Sequence, residues 1–133
     1  PDSFGDVAET VACCAERDLE SIVCVDSVEM GRAALSFDPD CLLFENPADI
    51  ASDRALAQMD PARVETFVSM VEAENPRTRV LLGGGISTGA DVKASLEHGA
   101  DAAGAASAFV GASDREAWLT AVAEALEAGD ESG

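Results

Sequence analysis

Apolar positions along the chain switch repeatedly between helical spacing and short unbroken runs, which predicts alternating helices and strands. Over residues 6–17, Val7, Val11 and Cys14 fall on one helical face. The next apolar run, at residues 21–25, is typical of a strand buried on both faces. Strands are predicted over residues 21–25, 41–44, 80–82 and 100–106, and helices over residues 6–17, 28–36, 61–73 and 89–97, with a last helix beginning at residues 113–116.

Polar residues and one glycine mark the ends of these helices. Ser27 and Ser87 are placed to cap helix starts, and Asp60 stands before a proline, a pairing that favours a helix start. Gly99 occupies the left-handed position favoured just past a helix end. A capping box spans residues 113–116, and the helix after it is predicted to turn four residues toward the core: Trp118, Leu119, Val122 and Leu126.

The regular alternation predicts an α/β fold in which every strand is followed by a helix. Such an order implies parallel strands joined by right-handed crossovers. The choice lies between an open doubly wound sheet and a barrel, and four strands make only half of an eight-stranded barrel. One domain is predicted over residues 1–128, followed by an acidic tail at residues 129–133 that is expected to fray.

Composition narrows the class of protein. The chain has 133 residues, 47% of them hydrophobic, a single Trp and no Tyr. Because no apolar run approaches the roughly 20 residues that cross a bilayer, no membrane association is expected. Since the first residues do not resemble a signal peptide either, a cytoplasmic location is predicted.

Acidic residues dominate the charge. Asp and Glu number 26 against 8 Lys and Arg, so the formal net charge is −18. The alternatives are a solubilising surface suited to molar salt and a surface that binds cationic partners. The acids are spread along the whole chain, which favours the first alternative and is the pattern of proteins from salt-loving archaea. Nucleic acid is excluded as a partner because the chain has no basic patch.

Four cysteines, Cys13, Cys14, Cys24 and Cys41, stand in apolar segments without CxxC spacing. The only histidine, His98, is far from them in sequence. The pattern favours reduced thiols in the core of a cytoplasmic protein over a metal site. No metal and no cofactor are predicted.

The most informative motif is the run of three glycines at residues 83–85, which follows a buried strand and precedes a helix. Glycine raises the entropy lost on folding, so three in succession favour a site where backbone N–H groups face an anion. A phosphate site is therefore predicted at the carboxyl end of this strand. The alternative is a tight turn that requires positive φ, which explains one glycine better than three.

Three segments together resemble a known family. They are residues 45–53 (Glu-Asn-Pro-Ala-Asp-Ile-Ala-Ser-Asp), residues 82–92 (Leu-Gly-Gly-Gly-Ile-Ser-Thr-Gly-Ala-Asp-Val) and residues 106–108 (Ala-Ser-Ala). In order and spacing they resemble the C-terminal half of the archaeal triosephosphate isomerases, of the haloarchaeal type, from near residue 6 to residue 125. The resemblance implies a half-barrel of four βα units derived from the TIM barrel.

The resemblance also implies roles for residues. Glu45 would be the catalytic base that moves a proton between the two carbons beside the carbonyl and hydroxyl of a triose phosphate. The segment after Glu45 would be the lid. The substrate phosphate would be bound by Ile50, Gly84, Gly85, Ser87, Ala106 and Ser107. Without the family, the favoured interpretation of Glu45 is an ordinary acid at a strand end in an acid-rich protein.

The chain also departs from the family pattern. Family members carry an Asn/Lys pair and an electrophilic His on strands that would precede this chain. Here Lys93 is expected on an outer helix face and His98 at a helix end. Residues 51–53 replace Gly-Thr-Gly in the lid, and Ala108 replaces a glycine. These departures favour a truncated or divergent relative.

Three functions stay open at this point. The first is an isomerase that an N-terminal half completes. The second is a non-catalytic half-barrel that binds a phosphorylated metabolite, and the third is a structural protein that associates with itself. The expected partners are a triose phosphate and either a second copy or a complementing half-barrel, because exposed parallel edges need a partner.

Overall fold

The computed structural model describes residues 3–47 and 54–130. Within them the chain forms four strands and seven helices. The strands are β1 (Ile22–Val25), β2 (Cys41–Phe44), β3 (Arg79–Leu82) and β4 (Ala102–Ala103). The helices are α1 (Phe4–Ala15), α2 (Val28–Leu35), α3 (Leu56–Met59), α4 (Pro61–Glu74), α5 (Gly89–Glu97), α6 (Ser107–Gly111) and α7 (Arg115–Asp130).

The four strands form one parallel sheet in the order β1-β2-β3-β4. Val25, Phe44 and Leu82 lie side by side across the first three strands. The predicted α/β fold with parallel strands and crossover helices is confirmed. The strands are parallel because the helix after each strand returns the chain to the same end of the sheet.

The main core lies between one face of the sheet and helices α2 and α4. Phe44 of β2 stacks on Phe67 of α4 with ring centroids 4.1 Å apart and planes 5° apart, and both residues are 0% exposed. Burying such a side chain stabilises the fold by about 2–3 kcal/mol. Gly31 of α2 makes room for this stack, because a Cβ there would lie 2.5 Å from the Phe67 ring.

The opposite face of the sheet, here called the open sheet face, is lined by Ile22, Cys24, Leu43, Leu81 and Ala102. Ile22 is 58% exposed, Cys24 and Ala102 are exposed, and Leu43 and Leu81 are only half-buried. The prediction that residues 21–25 are buried on both faces is therefore wrong. An apolar run cannot tell a doubly covered strand from an edge strand whose second face is left uncovered by the described residues.

The prediction of four core thiols is also wrong. Cys41 is buried, but Cys13 and Cys24 are exposed and Cys14 is half-buried. Cys24 points to the open sheet face, and α1 buries only Val11.

Most predicted helix ends are confirmed. Ser27 and Asp60 cap α2 and α4 through their side chains, and Gly99 has a φ of +93°. The cap of α5 is Thr88 rather than Ser87. At the start of α7 it is Asp114 that accepts a hydrogen bond, from the Ala117 N–H at 2.9 Å.

The carboxyl-terminal third differs most from the prediction. Strand β4 has two residues instead of the predicted seven. Helix α6 begins at Ser107, directly after the end of the predicted strand. On α7, Leu119 is 51% and Leu126 is 45% exposed, whereas Trp118 and Val122 are half-buried. Helix α7 continues to Asp130. Across the described residues, no helix combines the length and the hydropathy that crossing a membrane requires.

Candidate functional site

The candidate site lies at the carboxyl ends of β2, β3 and β4. The parallel ladder continues one residue past the strands, where Gly83 N–H donates to the Phe44 carbonyl at 3.1 Å and Gly104 N–H donates to the Leu82 carbonyl at 2.8 Å. Glu45 N–H likewise donates to the Val25 carbonyl at 3.1 Å. Glu45, Gly83 and Gly104 therefore stand at matching positions at one end of the sheet.

A cavity of about 250 Å³ opens at this end of the sheet. Five residues predicted to act in the site line it: Glu45, Gly84, Gly85, Ala106 and Ser107. Two leucines of the open sheet face, Leu43 and Leu81, form its apolar floor. Ser87 is not among the lining residues, and Ile50 lies outside the described residues, as do the lid residues 51–53.

Gly83 allows Glu45 to lie against the end of β3. A Cβ on Gly83 would sit 2.8 Å from both Glu45 Oε2 and Leu43 Cδ1. The same carboxylate acts electrostatically on Cys24 of β1. Burial raises the pKa of the Cys24 thiol, and the negative charge of Glu45 raises it further. The Cys24 thiol is therefore protonated at neutral pH.

The other two glycines have left-handed backbone. Gly84 has φ +74° and Gly85 has φ +71°. A Cβ on Gly85 would also lie 2.2 Å from the Arg54 carbonyl oxygen. Gly84 and Gly85 thus meet requirements of the fold itself, and Gly83 leaves room for the Glu45 side chain. The turn alternative therefore explains more of the motif than the sequence indicated. The phosphate assignment stays a prediction.

Asp91 ties the end of this loop to α5. Its Oδ2 accepts from the Ser87 N–H (3.0 Å), the Ser87 hydroxyl (3.1 Å), the Thr88 N–H (2.8 Å) and the Thr88 hydroxyl (2.9 Å). Its Oδ1 accepts from the Gln58 side-chain amide. Burial raises the pKa of Asp91, but the hydrogen bonds from Ser87 and Thr88 outweigh it and hold the pKa below its usual value. The carboxylate is therefore ionised at neutral pH.

Trp118 holds the same loop from the side of α7. Its Nε1–H donates to the Ser87 carbonyl oxygen at 2.8 Å, and its ring packs against Phe109 with centroids 5.8 Å apart. Sequence reasoning assigned Trp118 to the core and gave Asp91 no role. The pattern Thr88-x-x-Asp91 is a capping box, and this signal could have identified Asp91.

His98 and Lys93 lie away from the cavity, as expected. His98 ends α5, and its Nδ1 lies 2.8 Å from Glu65 Oε1. Lys93 pairs with Glu97 at 3.7 Å on an exposed face. Among the described residues that line the cavity, none is a Lys, Arg or His. Over the described ranges, no group of three or more His, Cys, Asp or Glu side chains could hold a metal ion.

Solved structures that are similar to this chain are TIM-barrel proteins. They include the Amycolatopsis orientalis BexX/CysO complex, with a TM-score of 0.73 and 21% identity, matched over 96% of this chain and 49% of that chain. A native KDPGal structure matches with a TM-score of 0.71 and 12% identity, over 93% of this chain and 56% of that chain. The fold is thus a partial TIM barrel.

By sequence, the chain is similar to archaeal triosephosphate isomerases over most of its length. It is 37% identical to the triosephosphate isomerase of Methanobrevibacter smithii over 122 residues, which are 91% of this chain and 55% of the relative. It is 38% identical to that of Methanothermus fervidus over 113 residues, 85% of this chain and 51% of the relative. The chain spans about half the length of these relatives. No family model matches the chain.

These relatives support the archaeal part of the predicted resemblance. Both come from methanogens, so the haloarchaeal assignment is not established by them and stays a prediction.

Proposed function

We propose that this chain supplies the base and the phosphate-binding loop of a triosephosphate isomerase-like site, which is complete only when an N-terminal half-barrel is present. The observation that carries the proposal is that Glu45, Gly84, Gly85, Ala106 and Ser107 line one cavity at the carboxyl ends of parallel strands. In TIM barrels this end of the sheet is where chemistry takes place. The homologues named triosephosphate isomerase support the choice of reaction.

The proposed reaction is a proton transfer within a triose phosphate. The Glu45 carboxylate would remove the proton from the hydroxyl-bearing carbon next to the carbonyl, which leaves an enediolate. One proton would then pass from the hydroxyl oxygen to the former carbonyl oxygen through groups of the complementing half-barrel. The protonated Glu45 would return its proton to the neighbouring carbon, so that dihydroxyacetone phosphate and glyceraldehyde 3-phosphate interconvert. No electrons leave the substrate and no cofactor is needed.

The phosphate end of the substrate would be held by backbone. Gly84 and Gly85 present main-chain atoms without side chains, and Ala106 and Ser107 line the other side of the cavity. N–H groups in such a loop bind an anion without a lysine or arginine. This arrangement would place the phosphate between the ends of β3 and β4, with Glu45 at the end of the neighbouring strand β2.

The cavity has no cationic donor for the substrate oxygen that becomes negative, as far as its described lining goes. Among the described residues that line it, none is a Lys, Arg or His. Losing one donor aimed at a developing oxyanion costs about 10²–10³ in rate. The complementing half-barrel is therefore proposed to supply these groups, as the departures from the family pattern imply.

The open sheet face and the two edge strands are the proposed contact surface for that half. Ile22 and Cys24 are exposed there, and β1 and β4 each pair with one strand of the described sheet. An uncovered parallel edge favours association with another chain. The alternative partner is a second copy of this chain, which would make the protein a homo-oligomer that binds a phosphorylated metabolite or is purely structural.

The deciding experiment is an isomerase assay in molar KCl, with and without the matching N-terminal half of a related archaeal enzyme. Turnover that requires the added half, is abolished in Glu45→Gln and persists in Glu29→Gln supports the proposal; Glu29 is an exposed acid of α2. Turnover that survives Glu45→Gln contradicts it. If turnover is absent, a melting temperature raised by 2-phosphoglycolate favours the binding alternative, and an unchanged one favours the structural alternative.

A further inference from the structure

Ser87 has all of its donors engaged within the fold. Its N–H and its hydroxyl both donate to Asp91 Oδ2, at 3.0 Å and 3.1 Å. Its carbonyl oxygen accepts from the Trp118 indole at 2.8 Å. A phosphate oxygen needs a donor, so in this arrangement Ser87 has none to offer.

We propose that Asp91 is a positioning residue that acts through Ser87 to fix the glycine loop at residues 83–85, and that Ser87 holds this loop rather than binding the phosphate. The second half of this inference rests on the proposed function, because it concerns which atoms a phosphate meets. The first half concerns the loop alone and can be tested without a ligand.

A glycine loop needs such an anchor. Glycine loses more conformational freedom on folding than any other residue, and Gly84 and Gly85 both have positive φ. Four hydrogen bonds to a single carboxylate oxygen fix the two residues that follow Ile86. Hydrogen bonds to an ionised acceptor are roughly twice as strong as those between neutral groups. The position of Gly85 is thereby set from its carboxyl-terminal side.

Asp91 is itself held firmly. It is 5% exposed and lies in the first turn of α5, where the Ser95 hydroxyl donates to its carbonyl oxygen at 2.8 Å. Helix α5 packs closely on α7, since a Cβ on Gly89 would lie 2.7 Å from the Ala121 carbonyl oxygen. The carboxylate therefore belongs to a closely packed pair of helices.

Two further groups act on the loop from opposite sides. Trp118 holds the Ser87 carbonyl from α7. Gln58 donates to Asp91 Oδ1 from α3, which follows the proposed lid segment in the chain. Backbone packing adds to this link, because Gly85 lies directly against the Arg54 carbonyl. Asp91 thus connects the glycine loop with the segment just after the proposed lid.

The first test measures the loop in the protein without ligand. In Asp91→Asn we expect the amide protons of Ser87 and Thr88, which donate to Asp91, to exchange about tenfold faster, because a neutral amide replaces the charged acceptor. The amide proton of Gly85 should exchange faster as well, because the loop before Ser87 is then held less firmly. The indole N–H signal of Trp118 should shift as well. Both are measured by NMR hydrogen exchange and indole proton spectra.

The matched control is Asp6→Asn. Asp6 forms the same capping box in α1, where its Oδ2 accepts from the Ser3 N–H and hydroxyl. Because Asp6 stabilises only its own helix, Asp6→Asn should speed amide exchange at the start of α1 and leave the glycine loop unchanged. If Asp91→Asn leaves the Gly85 amide and the Trp118 indole as they are in the wild type, the positioning role is wrong. Ser87→Ala gives the same test should Asp91→Asn fail to fold, with Ser87→Thr expected to restore the wild-type signals.

The second test uses inorganic phosphate as the probe. If Ser87 only positions the loop, Ser87→Ala and Trp118→Phe both weaken phosphate binding three- to tenfold, and both speed exchange at Gly85 before phosphate is added. A direct ligand would behave differently: Ser87→Ala would weaken binding while exchange at Gly85 stayed unchanged. That result overturns the positioning role of Ser87. A wild type that binds no phosphate, but whose loop responds to Asp91→Asn, contradicts the proposed function and supports the role of Asp91.

Discussion

Gly83 and Glu45 lie so close together that a Cβ on the glycine would sit 2.8 Å from the carboxylate oxygen Oε2. Gly83 does not have a positive φ, so the limited space is the only feature that favours glycine there. Both atoms that such a Cβ would meet, Glu45 Oε2 and Leu43 Cδ1, are ends of flexible side chains. The contact therefore constrains where the carboxylate lies more than it constrains folding.

Gly83→Ala is accordingly expected to move Glu45 without unfolding the protein. We expect a change in unfolding free energy of about 1 kcal/mol or less, since the neighbours can turn aside. The ¹³C signal of the Glu45 carboxyl should shift, and any isomerase turnover should fall at least tenfold, because a misplaced base loses its alignment. Thermal melts and carboxyl ¹³C spectra measure the two effects.

The control for this substitution is Gly104→Ala. A Cβ there would meet Leu81 Cδ1 at 3.8 Å, which is an ordinary contact. It stands at the matching position on β4 and should leave the Glu45 signal unchanged. A Glu45 signal that responds equally to both substitutions would contradict the specific contact with Gly83.

Gly85→Ala should instead be strongly destabilising. The residue has φ +71°, and a Cβ would lie 2.2 Å from the backbone oxygen of Arg54, which cannot turn aside as a side chain can. The left-handed strain alone costs about 1–3 kcal/mol, so a total loss of at least about 2 kcal/mol is expected. Urea unfolding measures it. Gly111→Ala, which meets nothing within 4 Å, should change the unfolding free energy by about 1 kcal/mol or less.

Local signals explain what the sequence predicted well. Strand β2 matches the predicted residues 41–44, and α4 starts at Pro61 after the Asp60 cap. Both were predictable because an apolar run and a helix cap each depend on only a few neighbouring residues. The gathering of Glu45 with the glycine loop was also predictable, since carboxyl ends of parallel strands meet at one edge of a sheet.

What the sequence could not show depends on packing between distant segments. Whether residues 22–24 are buried depends on what covers the second face of the sheet. Helices α3 and α6 have four and five residues, too few for a hydrophobic period to be visible. The engagement of Ser87 by Trp118 joins positions 31 residues apart, which no local pattern reports.

Removing the aromatic stack should cost much of the stability. Phe67 is fully buried against Phe44 and beside Gly31, so Phe67→Ala leaves a cavity between α2 and α4. Large-to-small changes of this kind cost about 3–5 kcal/mol. The free energy of urea unfolding measures the loss. Phe4→Ala, at a position that is 50% exposed, should cost about 1 kcal/mol or less; equal losses would contradict the assignment of the core.

Salt should stabilise the protein if the acidic surface is suited to molar salt, as proposed. With a net charge of −18 on 133 residues, the acidic side chains repel one another at low ionic strength. At 1 M salt the Debye length falls to about 3 Å, so most of this repulsion is screened. The melting temperature is expected to rise between 0.1 M and 2 M KCl. Replacing the exposed acids Glu72, Glu124 and Glu127 by Gln should reduce that rise, and an unchanged salt dependence would count against surface repulsion as its cause.

The loss of stability at acidic pH should depend in part on the protonation of Asp91. Its folded-state pKa lies below the usual value, so the unfolded chain takes up this proton first as pH falls. The stabilisation is therefore fully present above the unfolded-state pKa of about 3.9 and is lost as pH falls through the lower folded-state value. Asp91→Asn should be less stable than the wild type at pH 7, and the difference should shrink below about pH 4, where Asp91 itself becomes neutral. Urea unfolding of both proteins in 1 M KCl from pH 7 to pH 2 measures it. A difference that stays constant over this range would mean that the hydrogen bonds from Ser87 and Thr88 do not depend on the charge of Asp91.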